Sequence, residues 1–195
     1  RTIKNLANDF DKFIVGSDQV WNMKCQGYDS SYLLDFCDQT KRVAYAASFG
    51  THDVKDDDRA EFEKYLPEFE HVSVREKRGI ELVKSISGRD VIDTMDPVLL
   101  VGKEYWGKRM SRLKEDGGYI FVYQLGHGTL IPKYVKMLKK HLNKKVIFVT
   151  GHLGNMVHYS IGDLNYSSTS PEDFLSLLAH ADYVVTNSFH ATVLS

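Results

Sequence analysis

Short apolar runs of strand length alternate with amphipathic stretches of helical spacing along almost the whole chain, and this alternation leaves few folds open. Strands that alternate with helices imply parallel sheets with helices on both faces. Phe13-Ile14-Val15 is the first such run, ended by Gly16-Ser17-Asp18. Arg42 to Phe49 is the second, rich in small residues and closed by Gly50. From Asp56 to Leu66 the spacing turns helical, with Phe62, Tyr65, Leu66 and Phe69 on one face. Asp56, Asp57 and Asp58 suit its first turn, where the helix dipole favours acidic groups. His71 to Val74 reads as a strand and Glu76 to Ile86 as a helix. Val91-Ile92 leads into a corner at Asp96-Pro97, with a further strand expected over Val98 to Val101. Gly102 to Gly118 is polar and rich in glycine, with a short helix predicted around Trp106 to Leu113. The pattern then restarts: strands over Tyr119–Leu125, Val146–Thr150 and Tyr183–Thr186, helices over Ile131–Leu142 and Pro171–Ala181, and a new helix from Ser188. Pro132 falls in a first helical turn, where proline is tolerated, and Ser170 is a good N-cap. The reading is an α/β protein of two Rossmann-like units, residues 1–102 and 119–195, joined by a linker over 103–118.

Composition narrows the function. With 43% hydrophobic and 26% charged residues the chain is ordinarily globular. Net charge is -1, with Lys and Arg scattered and no basic stripe, which argues against a nucleic-acid partner. No apolar run approaches the roughly 20 residues of a membrane-spanning helix, so membrane association is expected to be peripheral at most. The opening RTIKNLANDF is not a signal peptide. Cys25 and Cys37 form neither a CxxC motif nor a disulfide framework, consistent with reduced thiols in a cytoplasmic protein. Asn165-Tyr166-Ser167 matches a glycosylation sequon and is read as chance. The chain opens at Arg1 and stops at Ser195 inside an apolar segment, and is read as truncated at both ends.

Ligands of open α/β sheets bind beyond the carboxyl ends of the strands, so the residues that follow each strand are the site candidates. After the first strand come Gly16, then Ser17, Asp18 and Gln19, three polar side chains at a sharp turn; a turn with a capping Asp is the competing reading. In the second unit each clear strand ends at a histidine: His127, His152 and His190. Imidazole titrates near pH 6.5, which suits proton transfer or anion binding; exposed loop histidines or a three-histidine metal site are the alternatives. His190 follows Asn187 and Ser188 at a strand-to-helix junction, where free N–H groups and the dipole favour an anion. Arg75, at the end of a short strand, has a fork that grips carboxylate or phosphate; an ion pair with Glu76 or Glu70 is equally open. Gly126-His127-Gly128 lacks the third glycine of a dinucleotide motif, since position 131 is Ile.

Taken together, Phe13-Ile14-Val15-Gly16-Ser17-Asp18-Gln19-Val20-Trp21-Asn22, Ala44-Tyr45-Ala46-Ala47-Ser48-Phe49-Gly50, Val72-Ser73-Val74-Arg75-Glu76, Asp96-Pro97-Val98-Leu99 and Thr186-Asn187-Ser188-Phe189-His190-Ala191-Thr192 resemble the polysaccharide pyruvyl transferase family over nearly the whole chain. The resemblance implies a GT-B-like arrangement of two Rossmann-like domains with the active site in the cleft between them. It implies phosphoenolpyruvate as donor substrate, a sugar or lipid-linked glycan as acceptor, and neither cofactor nor metal. It also implies a bacterial enzyme of exopolysaccharide biosynthesis. Arg75 matches a donor-holding arginine and His190 the family's histidine. A second arginine, two positions before that histidine, is Ser188 here; His127, His152 or an arginine elsewhere would supply the missing cation. On this reading His190 is the acid or a phosphate contact, and Asp18 takes the acceptor's proton. Ser17, Gln19, Asn187 and Ser188 complete the substrate set. A GT-B glycosyltransferase using a nucleotide sugar, or a glycan-binding protein that has lost catalysis, are the rival readings.

Overall fold

The structure is a computed structural model that describes residues 3–113, 115, 118–126, 128–150 and 161–195. The chain divides into two compact units, one running to Leu100 and the other starting at Val101. In the first, strands β1 (Phe13–Val15), β2 (Arg42–Ala47), β3 (His71–Val74) and β4 (Ile92–Asp93) lie in chain order, each parallel to its neighbour. Helices α1 (Asp56–Tyr65) and α2 (Lys77–Ser87) make the later crossovers. α2 stops where Gly88 adopts φ 72°, its N–H bonding Lys84 O at 2.9 Å, the left-handed end that glycine permits without Cβ strain. Phe62 of α1 and Leu82, Val83 and Ile86 of α2 pack with Val15, Ala44, Ala47 and Val74 of the strands. Trp21, 1% exposed, fills the middle of that layer. Its ring centroid lies 5.2 Å from Phe49, 6.0 Å from Phe69 and 6.3 Å from Phe62. Such aromatic pairs each add about 0.5–1.5 kcal/mol beyond area burial.

The strand expected over Val98–Val101 is absent. Pro97–Leu99 form a 3-10 turn instead, whose first N–H groups are met by Asp96: its Oδ1 accepts from Val98 N at 3.0 Å. An Asp directly before a proline is a cap rather than a strand start, because proline brings no ladder donor and its fixed φ suits a first helical turn.

The second unit begins with α3 (Lys103–Gly107), in the stretch read as a linker and a few residues before the predicted helix. Trp106 of α3 is half-buried, edge-on to Tyr105 at 5.2 Å. The sheet comprises β5 (Tyr119–Tyr123), β6 (Lys145–Val149), β7 (Leu164–Tyr166) and β8 (Tyr183–Thr186), in the order β7-β6-β5-β8 with every pair parallel. α4 (Leu130–Leu142) covers the face bearing Ile120, Val122, Val146 and Phe148. α5 (Pro171–Ala179) covers the face bearing Tyr119, Phe121, Ile147 and Val149. Burial on both faces is why β5, and β6 from Val146 to Val149, read as unbroken apolar runs. Tyr119 donates its hydroxyl to Leu177 O at 2.6 Å, and burial pushes its pKa up to about 12. β7 was not expected: three residues, two of them exposed, at the sheet edge carry no periodic signal. The final helix, α6 (Phe189–Leu194), starts at Ser188, whose Oγ accepts from Ala191 N at 3.3 Å.

The two separate parallel sheets agree with the α/β reading. The scatter of Lys and Arg does not survive folding. On α4 the helical period gathers Lys133, Lys136 and Lys140 into one exposed row, which a linear scan with no fixed period overlooks.

Candidate active site

In the first unit the polar candidates meet at the carboxyl ends of the strands. Gly16 has φ 115°, and a Cβ built there would lie 2.1 Å from Tyr45 O, so only glycine lets the chain leave β1 this close to β2. Asp18, at φ 71°, forms a parallel bridge to Ala47, and Ser48 N bonds Asp18 O at 3.0 Å. The loop is thereby tied back onto the sheet. β2 is irregular between Ala44 and Ala47, and Ser73 Oγ accepts the Ala46 N–H at 3.0 Å.

Arg75 leaves β3 with its N–H on Ala47 O at 3.1 Å. Of the two partners the sequence offered its guanidinium, Glu76 is met at the edge of ion-pair reach and Glu70 is not, and two further carboxylates lie closer. Nη1 lies 2.9 Å from Asp96 Oδ2 and 3.4 Å from Asp18 Oδ1, while Nε is 3.9 Å from Glu76 Oε2; Glu70 pairs instead with Lys12. The Arg75 and Asp96 side chains are only 10% and 3% exposed, against 60% for Asp18. Buried ions persist only when paired and hydrogen-bonded, and this pair is: Asp96 Oδ2 also lies 2.7 Å from Ser17 Oγ, which is 2.9 Å from Ala46 O. Asp96 thus holds Arg75, Ser17 and the turn at Val98 together. The sequence offered it only as a corner, since nothing in a linear string links position 96 to 75 and 17. Beside Arg75 a depression of about 310 Å³ is lined by Gln19, Ser48, Thr51, His52, Arg78 and the carboxylate of Glu76. Asn22 Nδ2 donates to Gln19 Oε1 at 3.0 Å. Arg78 is committed to His52 O and Asp53, each at 2.7 Å, and to Glu81.

In the second unit β5 → β6 → β7 runs one way across the sheet and β8 returns on the other side of β5. Such a reversal is where open α/β sheets form a ligand crevice. Asn187 closes it on the strand side: its Oδ1 accepts Leu125 N and its Nδ2 donates to Leu125 O, both at 2.8 Å. Ser188, 5% exposed, caps α6. Both side chains are therefore engaged structurally. His190 sits half-buried in α6's first turn, edge-on to Phe189 at 5.2 Å. His127 and His152 lie outside the described residues.

Two features escaped the sequence reading. Gln124, 2% exposed, donates to Gly128 O at 2.6 Å, while its Oε1 has no partner among the described residues. An unmet buried acceptor costs about 1–3 kcal/mol. The second is a cavity of about 280 Å³ beyond β6 and β7, walled by Thr150, Ser167, Ser168, Thr169 and Ser170 with Phe174. The Ser-Ser-Thr-Ser string was its signal, hidden because β7 went unrecognised. Among the described residues no group of three or more His, Cys, Asp or Glu side chains is arranged to hold a metal ion.

Comparison with known proteins gives the family. No curated protein and no solved structure matches the chain. The family model described as polysaccharide pyruvyl transferase matches residues 1–195. With every position covered, the chain belongs to the polysaccharide pyruvyl transferase family and is a transferase.

Proposed function

We propose that the protein moves the enolpyruvyl carbons of phosphoenolpyruvate onto two hydroxyls of a sugar in a cell-surface polysaccharide precursor, forming a ketal and releasing inorganic phosphate. The observation that supports this best is the Arg75 guanidinium, fixed by buried Asp96 beside an open depression at the strand ends. A pre-set planar fork suits a carboxylate or a phosphate, and the donor carries both.

A proton delivered to C3 of the donor leaves an oxocarbenium at C2. One sugar hydroxyl adds there and loses its proton. Phosphate then departs with the C2–O bond pair, and the second hydroxyl closes the ketal, again losing a proton. His190 supplies the acid or contacts the phosphate, and exposed Asp18 accepts a hydroxyl proton. Such acid–base help is worth roughly 10²–10⁴-fold in rate. Ser17 and Gln19 line the donor's approach, and His127 and His152 are candidates for the cation that Ser188 does not provide. Charge stabilisation by Arg, His and backbone N–H groups makes a metal or cofactor unnecessary. A cytoplasmic setting with a lipid-linked glycan acceptor fits this chemistry.

The test is phosphate release from phosphoenolpyruvate with candidate lipid-linked glycans, run beside a nucleotide-sugar arm. Release that requires both donor and glycan is expected. Selective thermal stabilisation by a nucleotide sugar, with none by phosphoenolpyruvate, would point to a glycosyltransferase instead.

A further inference from the structure

Helix α4 has an outer face that its own unit does not use. Val135 and Pro132 are buried against the sheet, with Ile131, Leu138 and Leu142 partly buried beside them. Yet Leu130, Tyr134 and Met137, at positions i, i+4 and i+7, are 68%, 55% and 58% exposed. They form a second apolar stripe on the solvent side. Alongside runs the exposed row of Lys133, Lys136 and Lys140. None of these three lysines forms an ion pair with the described residues, whereas Lys139 is held by Asp163 at 2.5 Å and Lys144 by Asp182.

The charge asymmetry is wider than the helix. Of the chain's 26 acidic residues none falls between Asp116 and Asp163, whereas six lysines do, in a protein whose net charge is -1. Lys136, Lys139, Lys140, Lys144 and Lys145 line an open groove of about 610 Å³ whose one acidic residue, Asp163, is paired with Lys139, while Lys145 lies 3.3 Å from Glu115.

We propose that this face of α4 docks on an anionic lipid bilayer. A soluble polyanion would satisfy the lysines but offer nothing to Leu130, Tyr134 and Met137. A bilayer surface presents both chemistries at one depth: acidic headgroups for the lysines, and acyl chains just beneath for the apolar stripe. Tyrosine suits the boundary, with an apolar ring and a polar tip, and the lysine stems cover apolar surface while their ammonium groups stay among the headgroups. α4 is 13 residues long and would lie in the surface plane, since no helix among the described residues is long and apolar enough to cross a membrane. The docking surface would hold the enzyme where a membrane-bound acceptor is presented, but it stands apart from the transfer chemistry and is measured without it.

The experiment is co-sedimentation of the protein with phosphatidylcholine vesicles, with and without phosphatidylglycerol, at low and high salt. Binding is expected only to the vesicles with phosphatidylglycerol, and it should weaken as salt screens the lysines. Neutralising three surface lysines (K133Q, K136Q and K140Q together) should lower the partition coefficient about a hundred-fold. Replacing only the stripe, Tyr134→Ser with Met137→Ser, should also lower it at unchanged charge. All five positions are exposed, so circular dichroism should be unaltered. Absence of binding to anionic vesicles overturns the proposal. So does binding that ignores the Tyr134 and Met137 substitutions and is matched by dextran sulfate, which would make the patch a site for soluble polyanions.

Discussion

Replacing Asp96 with Asn probes the hub of the candidate site. The substitution keeps the shape and, in one amide orientation, keeps an oxygen for Val98 N at 3.0 Å. It then places an NH2 against Arg75 Nη1, which Asp96 Oδ2 meets at 2.9 Å. The flipped amide restores that contact and breaks the other. Removing one partner of a buried ion pair costs about 3–5 kcal/mol. The low end applies here, because Asp18 at 3.4 Å and Glu76 at 3.9 Å still face the guanidinium. Arg75 is therefore expected to swing towards exposed Asp18. For a unit of roughly 100 residues, with a urea slope near 1–2 kcal/mol/M, about 3 kcal/mol lowers the midpoint by about 1.5–3 M. Asp18→Asn, at an exposed position, should cost under about 1 kcal/mol. Urea titrations of the wild type, Asp96→Asn, Arg75→Gln and the double variant complete a cycle whose coupling should exceed about 1.5 kcal/mol. With the fork no longer fixed, and if Arg75 grips the donor as proposed, KM for phosphoenolpyruvate should rise more than kcat falls. An Asp96→Asn protein within about 0.5 kcal/mol of wild type, or a coupling that small, would refute the hub.

Gly16→Ala should cost about 3 kcal/mol or more, because it combines an unfavourable φ with a Cβ driven into Tyr45 O; a melting temperature unchanged within error would contradict the close approach. Burial works to raise the Asp163 carboxyl pKa, but Lys139 and the Val146 N–H outweigh it and hold the group below its ordinary 3.8. Its contribution is present above that value and lost as pH falls through the folded pKa, so Asp163→Asn should weaken the protein at pH 6, with the gap to wild type narrowing as pH falls below 3.8, followed by denaturation across pH. His190→Asn should lower kcat if His190 is the acid and raise KM if it only grips phosphate; wild-type turnover would move the chemistry elsewhere. Ser188→Arg removes the α6 cap, at about 1 kcal/mol, and should tighten phosphoenolpyruvate binding if the donor lies there, which calorimetry would detect.

What was legible in the sequence follows from periodicity. β5, and β6 from Val146 on, are apolar because both faces are covered, and α2 and α4 show one buried side, so their existence and order could be read directly. The turn at Gly16 was legible because no other residue permits it. Contacts made by three-dimensional closure were not. Asp96 meets Arg75 and Ser17 across 21 and 79 positions of chain, and neither spacing belongs to any local period. β7 escaped because an edge strand of three residues has too little buried surface to impose alternation. Asn187 looked like a ligand group for the same reason that it works as a clamp: its amide presents a donor and an acceptor together, and the backbone of Leu125 claims both.

The chain has two tryptophans, and the fold gives one to each unit. Trp21 is sealed among phenylalanines, whereas Trp106 is partly open to water. The two indoles therefore emit from different surroundings, and each dims or shifts when its own half melts. Fluorescence of Trp21→Phe and Trp106→Phe proteins then follows the two halves singly. Coincident transitions would mean that they melt as one cooperative body, and separated ones that each stands by itself.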